Sequence, residues 1–191
     1  MLELVLRREI RGTLLFHILA ILVGTGLVAA LSRLSLPLPF SPVPLTGQTL
    51  GVFLVGITLG SRKGFLSLMA YLVAGASGLP VFAMGGAGPG WLLGPTGGYL
   101  MSFPLAAALV GFLTEKGWGR NFFLALCAMV LANLVIYLVG AGWLMNFGFD
   151  PIRAGLLPFI PGDAIKVLLA ASLLFGTSGV LLSGKGKREI P

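Results

Sequence analysis

The chain has 191 residues, 57% of them hydrophobic and only 10% charged, against roughly 25% charged in soluble domains, a composition that belongs to a membrane protein. Six acidic residues, one histidine (His17) and one cysteine (Cys127) leave no material for a metal cluster, a disulfide framework or an evident catalytic triad, so no enzyme activity, metal or cofactor is expected. The net charge of +7 would suit nucleic acid, but the cations follow membrane topology instead.

A span needs about 20 predominantly apolar residues, fewer if it is short or re-entrant. By that rule the chain divides into six segments. The first, Thr13 to Leu34, follows Arg7, Arg8 and Arg11. It is long for the apolar core of a signal peptide and is expected to be a retained helix. Gly24-Thr25-Gly26-Leu27-Val28-Ala29 within it matches a relaxed dinucleotide fingerprint, but no strand precedes it, and its small residues predict helix packing instead. The second and third segments, Gly47 to Gly60 and Gly64 to Leu79, are joined by the short basic "GSRKG", with Arg62 and Lys63. The fourth and fifth, Gly98 to Thr114 and Phe122 to Leu144, are joined by "TEKGWGR", with Lys116 and Arg120. The sixth, Pro161 to Leu182, runs into a tail with Lys185, Lys187 and Arg188. Its Gly179 to Lys185 stretch fits G-x-x-x-x-G-K, but Gly186 follows where Ser or Thr is needed, and no strand-loop-helix surrounds it.

The remaining connections, "SLPLPFSPVPLT", "LPVFAMGGAGPGWLLGPTG" and "MNFGFDPIRAGLLPFIPG", are long, rich in Pro and Gly, and carry only Arg33 and Arg153 as cations. The positive-inside rule therefore places both termini and the short basic loops in the cytoplasm and the long connections outside. Irregular backbone at membrane depth is tolerated where it is buried in protein or lines a cavity. The expected fold is thus an all-α membrane protein, a single domain over 1–191 of six transmembrane helices, with long outer loops capping a ligand pocket. The glycine pairs Gly47/Gly51 and Gly56/Gly60 and the pair Ala107/Gly111, each four residues apart, predict close helix contacts, with internal neighbours or with another subunit.

Asp163 and Lys166 open the sixth segment at i and i+3, on one helix face. A carboxylate in a first helical turn is ordinary, because the helix dipole favours it. The lysine is not, since it sits near a positive helix end on the side where cations are scarce. Either Asp163 is its partner in a structural ion pair, or a ligand carboxylate is, with Asp163 left to accept ligand N–H groups. Other polar candidates stand at the outer ends of segments. Thr46, Gln48 and Thr49 follow the proline-rich loop, Thr96 and Tyr99 lie in "GPTGGY", and Asn133 lies deeper, as an interhelical bond or a pocket floor. Trp91 suits a lid on an apolar ligand or an anchor, and Trp143 an interfacial belt.

The runs "PLPFSPVPLTGQTLGVFLVGITLG", "LVAGASGLPVF", "GPTGGYLMSFPLAAALVG" and "PGDAIK" resemble, in order and spacing from Pro37 to Ala171, the BioY family. These are the biotin-specific substrate-binding (S) components of energy-coupling factor transporters. The resemblance implies a protein of the cell's inner membrane that captures biotin from outside. Uptake would be driven by a transmembrane coupling subunit and two cytoplasmic ATPase subunits. Biotin's carboxylate would then suit Lys166, and its ureido N–H groups Asp163 or Gln48; because Asp163 and Lys166 are too close to grip opposite ends of an extended ligand, which end of biotin they meet stays open. The resemblance also implies a small-residue face on the first helix for the coupling subunit, where Ala20 and Gly24 stand nearest to the family's Ala-x-x-x-Ala pattern. An S component for another small anionic vitamin, or a scaffold whose ion pair is purely structural, remains open from the residues alone.

Overall fold

The computed structural model describes the backbone of residues 2–185 and the side chains of 14–176. Arg7, Arg8, Arg11, Lys187, Arg188 and the Gly179 to Lys185 motif lie outside the described side chains. The elements are α1 (Leu2–Ser32), β1 (Ser35–Leu38), β2 (Ser41–Thr46), α2 (Gln48–Ala76), α3 (Gly90–Leu93), α4 (Gly97–Glu115), α5 (Phe122–Leu144) and α6 (Ile160–Lys185). Three single 3-10 turns, Ala83–Gly85, Trp118–Arg120 and Met145–Phe147, punctuate the connections. Helices long and apolar enough to cross a membrane cover Leu14–Ser32, Gln48–Ala76, Gly97–Glu115 and Phe122–Phe147. Their outward residues, such as Leu19, Leu105, Leu131 and Leu138, are apolar and exposed, as a lipid-facing surface requires.

α2 is not one straight rod. In a continuous helix Gln48 and Tyr71, 23 residues apart, would stand about 35 Å apart, yet the Gln48 Nε2 donates to the Tyr71 hydroxyl. The reversal occurs at Gly60, whose φ of 76° and ψ of −177° are open to glycine and costly for other residues. A Cβ on Gly64 would stand 3.5 Å from the Gly56 Cα, so the two limbs run back against each other. The break expected across "GSRKG" is therefore confined to Gly60, and helix resumes at once through Arg62 and Lys63. Glu115 makes this possible, because its Oε1 accepts the Ser61 N–H at 2.7 Å. That satisfies a donor which the new helix start leaves unpaired and places a carboxylate at its positive end.

The small-residue pairs meet internal neighbours. A Cβ on Gly56 would lie 2.7 Å from the Ala107 carbonyl oxygen, and one on Gly111 would lie 2.3 Å from the Ser61 nitrogen. α2 and α4 thus pack backbone to backbone, the contact that small residues permit in lipid. Gly51 packs on Val28 of α1 in the same way. Around this junction lie the buried Val52, Phe53, Val55, Leu68, Tyr71, Ala106 and Val110. α5 begins at Asn121, whose Oδ1 accepts the N–H groups of Phe123 and Leu124, a side-chain cap.

Two of the long connections depart from plain loops. "SLPLPFSPVPLT" forms a β-hairpin in which Ser35 faces Thr46, Leu36 faces Leu45 and Leu38 faces Ser41, with an irregularity at Pro37. Proline holds φ in the extended range but cannot donate to a ladder. The segment is thus pre-extended yet carries none of the alternation that signals a strand. The connection after α5 is a succession of turns started by Asp150, whose Oδ1 accepts the N–H groups of Ile152 and Arg153 at 2.8 and 3.0 Å. The backbone bonds from Arg153 and Ile152 hold its carboxyl below the usual aspartate range.

Candidate functional site

At the end of the bundle opposite Gly60, the β2 strand, the start of α2, α3, the starts of α4 and α6 and the C-terminal half of α5 surround a partly open cavity of about 50 Å³. Eight residues singled out from the sequence line it: Thr46, Gln48, Thr49, Trp91, Thr96, Tyr99, Asp163 and Lys166. They come from three separate stretches of the chain, 46–49, 91–99 and 163–166.

The Asp163–Lys166 pair forms one wall. The Lys166 Nζ lies 2.7 Å from the Asp163 Oδ1 and 3.2 Å from the Thr49 Oγ1, with side-chain exposures of 13% for Lys166 and 6% for Asp163. The other carboxylate oxygen accepts the Tyr137 hydroxyl at 2.7 Å. Placing either charge alone in the membrane would cost about 2.5–3.5 kcal/mol on insertion scales; here each neutralises the other. Lys166 therefore has an anion within the chain, and the structural-pair alternative describes its geometry. One of its three ammonium hydrogens is not used by these two bonds.

Gln48 is held rather than free. Its Oε1 accepts the Thr46 hydroxyl at 3.0 Å, its Nε2 donates to Tyr71, and the side chain is buried. Thr96 donates to the Trp91 carbonyl at 2.9 Å, and Tyr99 donates to the Gly155 carbonyl at 2.6 Å. Tyr99 thereby ties α4 to the turns before α6. Trp91 lies flat on Gly86, where a Cβ would meet the indole at 2.1 Å, and its ring is 6.4 Å from that of Phe82. The apolar lining is completed by Val43, Pro44, Ala83, Leu100, Phe103, Ile136 and Phe159.

Asn133 does not line this cavity. It is buried on a neighbouring crevice between α5 and α6 that shares Tyr137 and Asp163 with the cavity. Tyr137 itself was missed; the available signal was its position one turn beyond Asn133, a second polar group on the same face of α5. Trp143 is more than a belt residue, since its Nε1 donates to the Gly94 carbonyl at 2.9 Å. Of the two first-helix residues, Gly24 is buried against the chain's own Ser67 and Leu59, and Ala20 is half-buried.

Residues 8–181 match the model of the BioY family. The chain is 36% identical over 178 residues to the biotin transporter BioY of Rhizobium etli, covering 87% of this chain and 90% of that one. It is 40% identical over 151 residues to the biotin transporter BioY of Thermotoga maritima, covering 77% and 86%. Its fold is similar to the crystal structure of the S-component for biotin from an ECF-type ABC transporter, with a TM-score of 0.78 and 29% identity, over 87% of this chain and 92% of that one.

Proposed function

This chain belongs to the BioY family, and we propose that it is the biotin-binding subunit of an energy-coupling factor transporter, a carrier and not an enzyme. The observation that carries the reading is the convergence of Thr46, Gln48, Trp91, Thr96, Tyr99, Asp163 and Lys166 on one cavity with a buried ion pair in its wall. In this reading six membrane passes, counting the two limbs of α2 separately, hold the chain in the inner membrane with both termini cytoplasmic and the cavity outward. A transmembrane coupling subunit and two ATPase subunits supply the energy, and Ala20 on α1 meets the coupling subunit.

The geometry favours one end of biotin at the ion pair. Lys166 is already neutralised by Asp163 at 2.7 Å, so a ligand carboxylate there would leave a net negative charge in a buried site, which is costly. A ureido edge is neutral and both donates and accepts. Its N–H groups match the Asp163 carboxylate and its carbonyl matches the remaining Lys166 hydrogen. Biotin's ureido ring is therefore assigned to the Asp163–Lys166 wall, its bicyclic body to Trp91, Phe103 and Phe159, and its carboxylate to the cavity mouth.

Titration calorimetry on the purified full chain tests both statements. Biotin should bind with a Kd in the micromolar range or tighter, other water-soluble vitamins should not compete, and Asp163→Asn should weaken binding by about a hundredfold, the roughly 2.7 kcal/mol expected of a charge-assisted bond. Biotin whose carboxylate is converted to an amide should keep most of its affinity, whereas 2-iminobiotin, with the ureido oxygen replaced, should lose it. The reverse order would return the carboxylate to Lys166.

A further inference from the structure

Taking the chain as the biotin-binding subunit, we propose that Tyr71 and Ser32, neither of which lines the cavity, are positioning residues. They form a buried hydrogen-bond relay that ties Gln48 in the cavity wall to the C-terminal end of α1 and sets how long biotin stays bound. The relay is continuous. The Gln48 Nε2 donates to the Tyr71 hydroxyl, which donates to the Val81 carbonyl at 2.9 Å. The same carbonyl lies 2.7 Å from the Ser32 hydroxyl, whose single hydrogen it shares with the Ala29 carbonyl, also at 2.7 Å. Gln48, Tyr71 and Ser32 are 4%, 0% and 0% exposed, so no water competes for these bonds, and an unmet partner would bear the full desolvation cost.

The carbonyl at the junction belongs to the connection that brings Ala83 and Trp91 over the cavity. Two further bonds tie this connection to the residues that follow α1: Arg33 donates to the Pro80 carbonyl, and the Ser35 Oγ at the start of β1 accepts the Met84 N–H at 3.1 Å. Met84 stands at a φ of 55°, a backbone conformation that a non-glycine residue keeps only when its surroundings hold it there. An aromatic path runs alongside. The Tyr71 and Phe82 rings are 5.5 Å apart, edge to face, and Phe82 leads to Trp91. Phe82 rests on Gly75, where a Cβ would meet its ring at 2.1 Å.

α1 touches the cavity nowhere among its described residues, and from Leu14 to Val23 it turns an apolar surface outward. A displacement of α1 would reach the covering connection through Val81 and the lining amide through Tyr71, without any contact between α1 and ligand. Coupling of this kind needs an element that both ends can bias, and the segment around Val81 is that element.

The test is biotin dissociation from the full chain in lipid nanodiscs, for wild type, Tyr71→Phe, Ser32→Ala, the double variant and Ser32→Thr. Each single substitution should speed dissociation by about tenfold. The double variant should be no faster than the faster single, because both hydroxyls act on one carbonyl, and Ser32→Thr should return the rate to within about twofold of wild type. Unchanged dissociation in the single variants, or effects that multiply in the double, overturns the relay. Hydrogen exchange on the unliganded protein gives a reading that does not need biotin. The Phe82, Gly85 and Gly86 amides should lose protection in both single variants and the α4–α5 amides should not; equal protection at 82–86 overturns the relay independently. A wild type that binds no biotin would refute the functional reading, and the exchange result would still decide the relay.

Discussion

At the scale of single residues, the cavity wall rests on a carboxylate that is held at both oxygens. Asp163 accepts from Lys166 and Tyr137, with a longer contact of 3.4 Å to Thr49, and a helix start adds a favourable dipole. Tyr137→Phe removes one donor to the charged form and lets the carboxylate rotate. Biotin affinity should fall by about tenfold, or 1.4 kcal/mol, with the α-helical circular-dichroism signal unchanged. An affinity equal to wild type would show that Tyr137 does not orient Asp163. Asp163 and Lys166 were legible in the sequence because charge is rare in apolar helices. Tyr137 was not, because a tyrosine among apolar residues reads as core until its hydroxyl is seen to meet Asp163.

At the scale of elements, the decisive contact is between the folded α2 and α4. Gly111 faces the Ser61 backbone closely enough that a Cβ would stand 2.3 Å from its nitrogen, and backbone cannot move aside as a flexible side chain can. Gly111→Ala should therefore lower the thermal midpoint in detergent by the equivalent of about 1–3 kcal/mol, the usual cost of overpacking. Gly26→Ala, with nothing within 4 Å of its Cβ, should be neutral or slightly stabilising, since alanine favours helix over glycine; a similar loss from both would show that the close contact at Gly111 is not the source of the cost. Glycine spacing predicted close packing but not the partner, because a glycine carries no side chain that specifies what approaches it. The hairpin of β1 and β2 was illegible for a different reason: its prolines replace the alternating pattern by which strands are recognised.

At the scale of the whole molecule, charge divides the two ends. Arg62, Lys63, Lys116 and Arg120 gather beside Gly60 and Glu115, and the cavity lies at the other end. If the positive-inside rule sets the orientation, a membrane-impermeant maleimide should label Arg153→Cys in intact cells and Arg62→Cys only after permeabilisation, each in a Cys127→Ser background. The opposite pattern would invert the protein. Proteoliposomes holding this chain without ATPase subunits should bind biotin and not concentrate it.

The sequence by itself determined the class of protein, the apolar character of its long helices, its charged end and most of the polar groups of the cavity. Each of these follows from the high cost of polar groups in lipid, which leaves them only a few permitted places. The tertiary structure alone decided how those groups are spent. It showed that Lys166 is neutralised by Asp163, that Gln48 is held by Thr46 and Tyr71, that Asn133 faces a different crevice, and that Gly24 packs inside the chain. Such pairings join residues as far apart in the chain as Thr49 and Lys166, and local residue type cannot specify which distant partner the fold will bring within hydrogen-bonding distance.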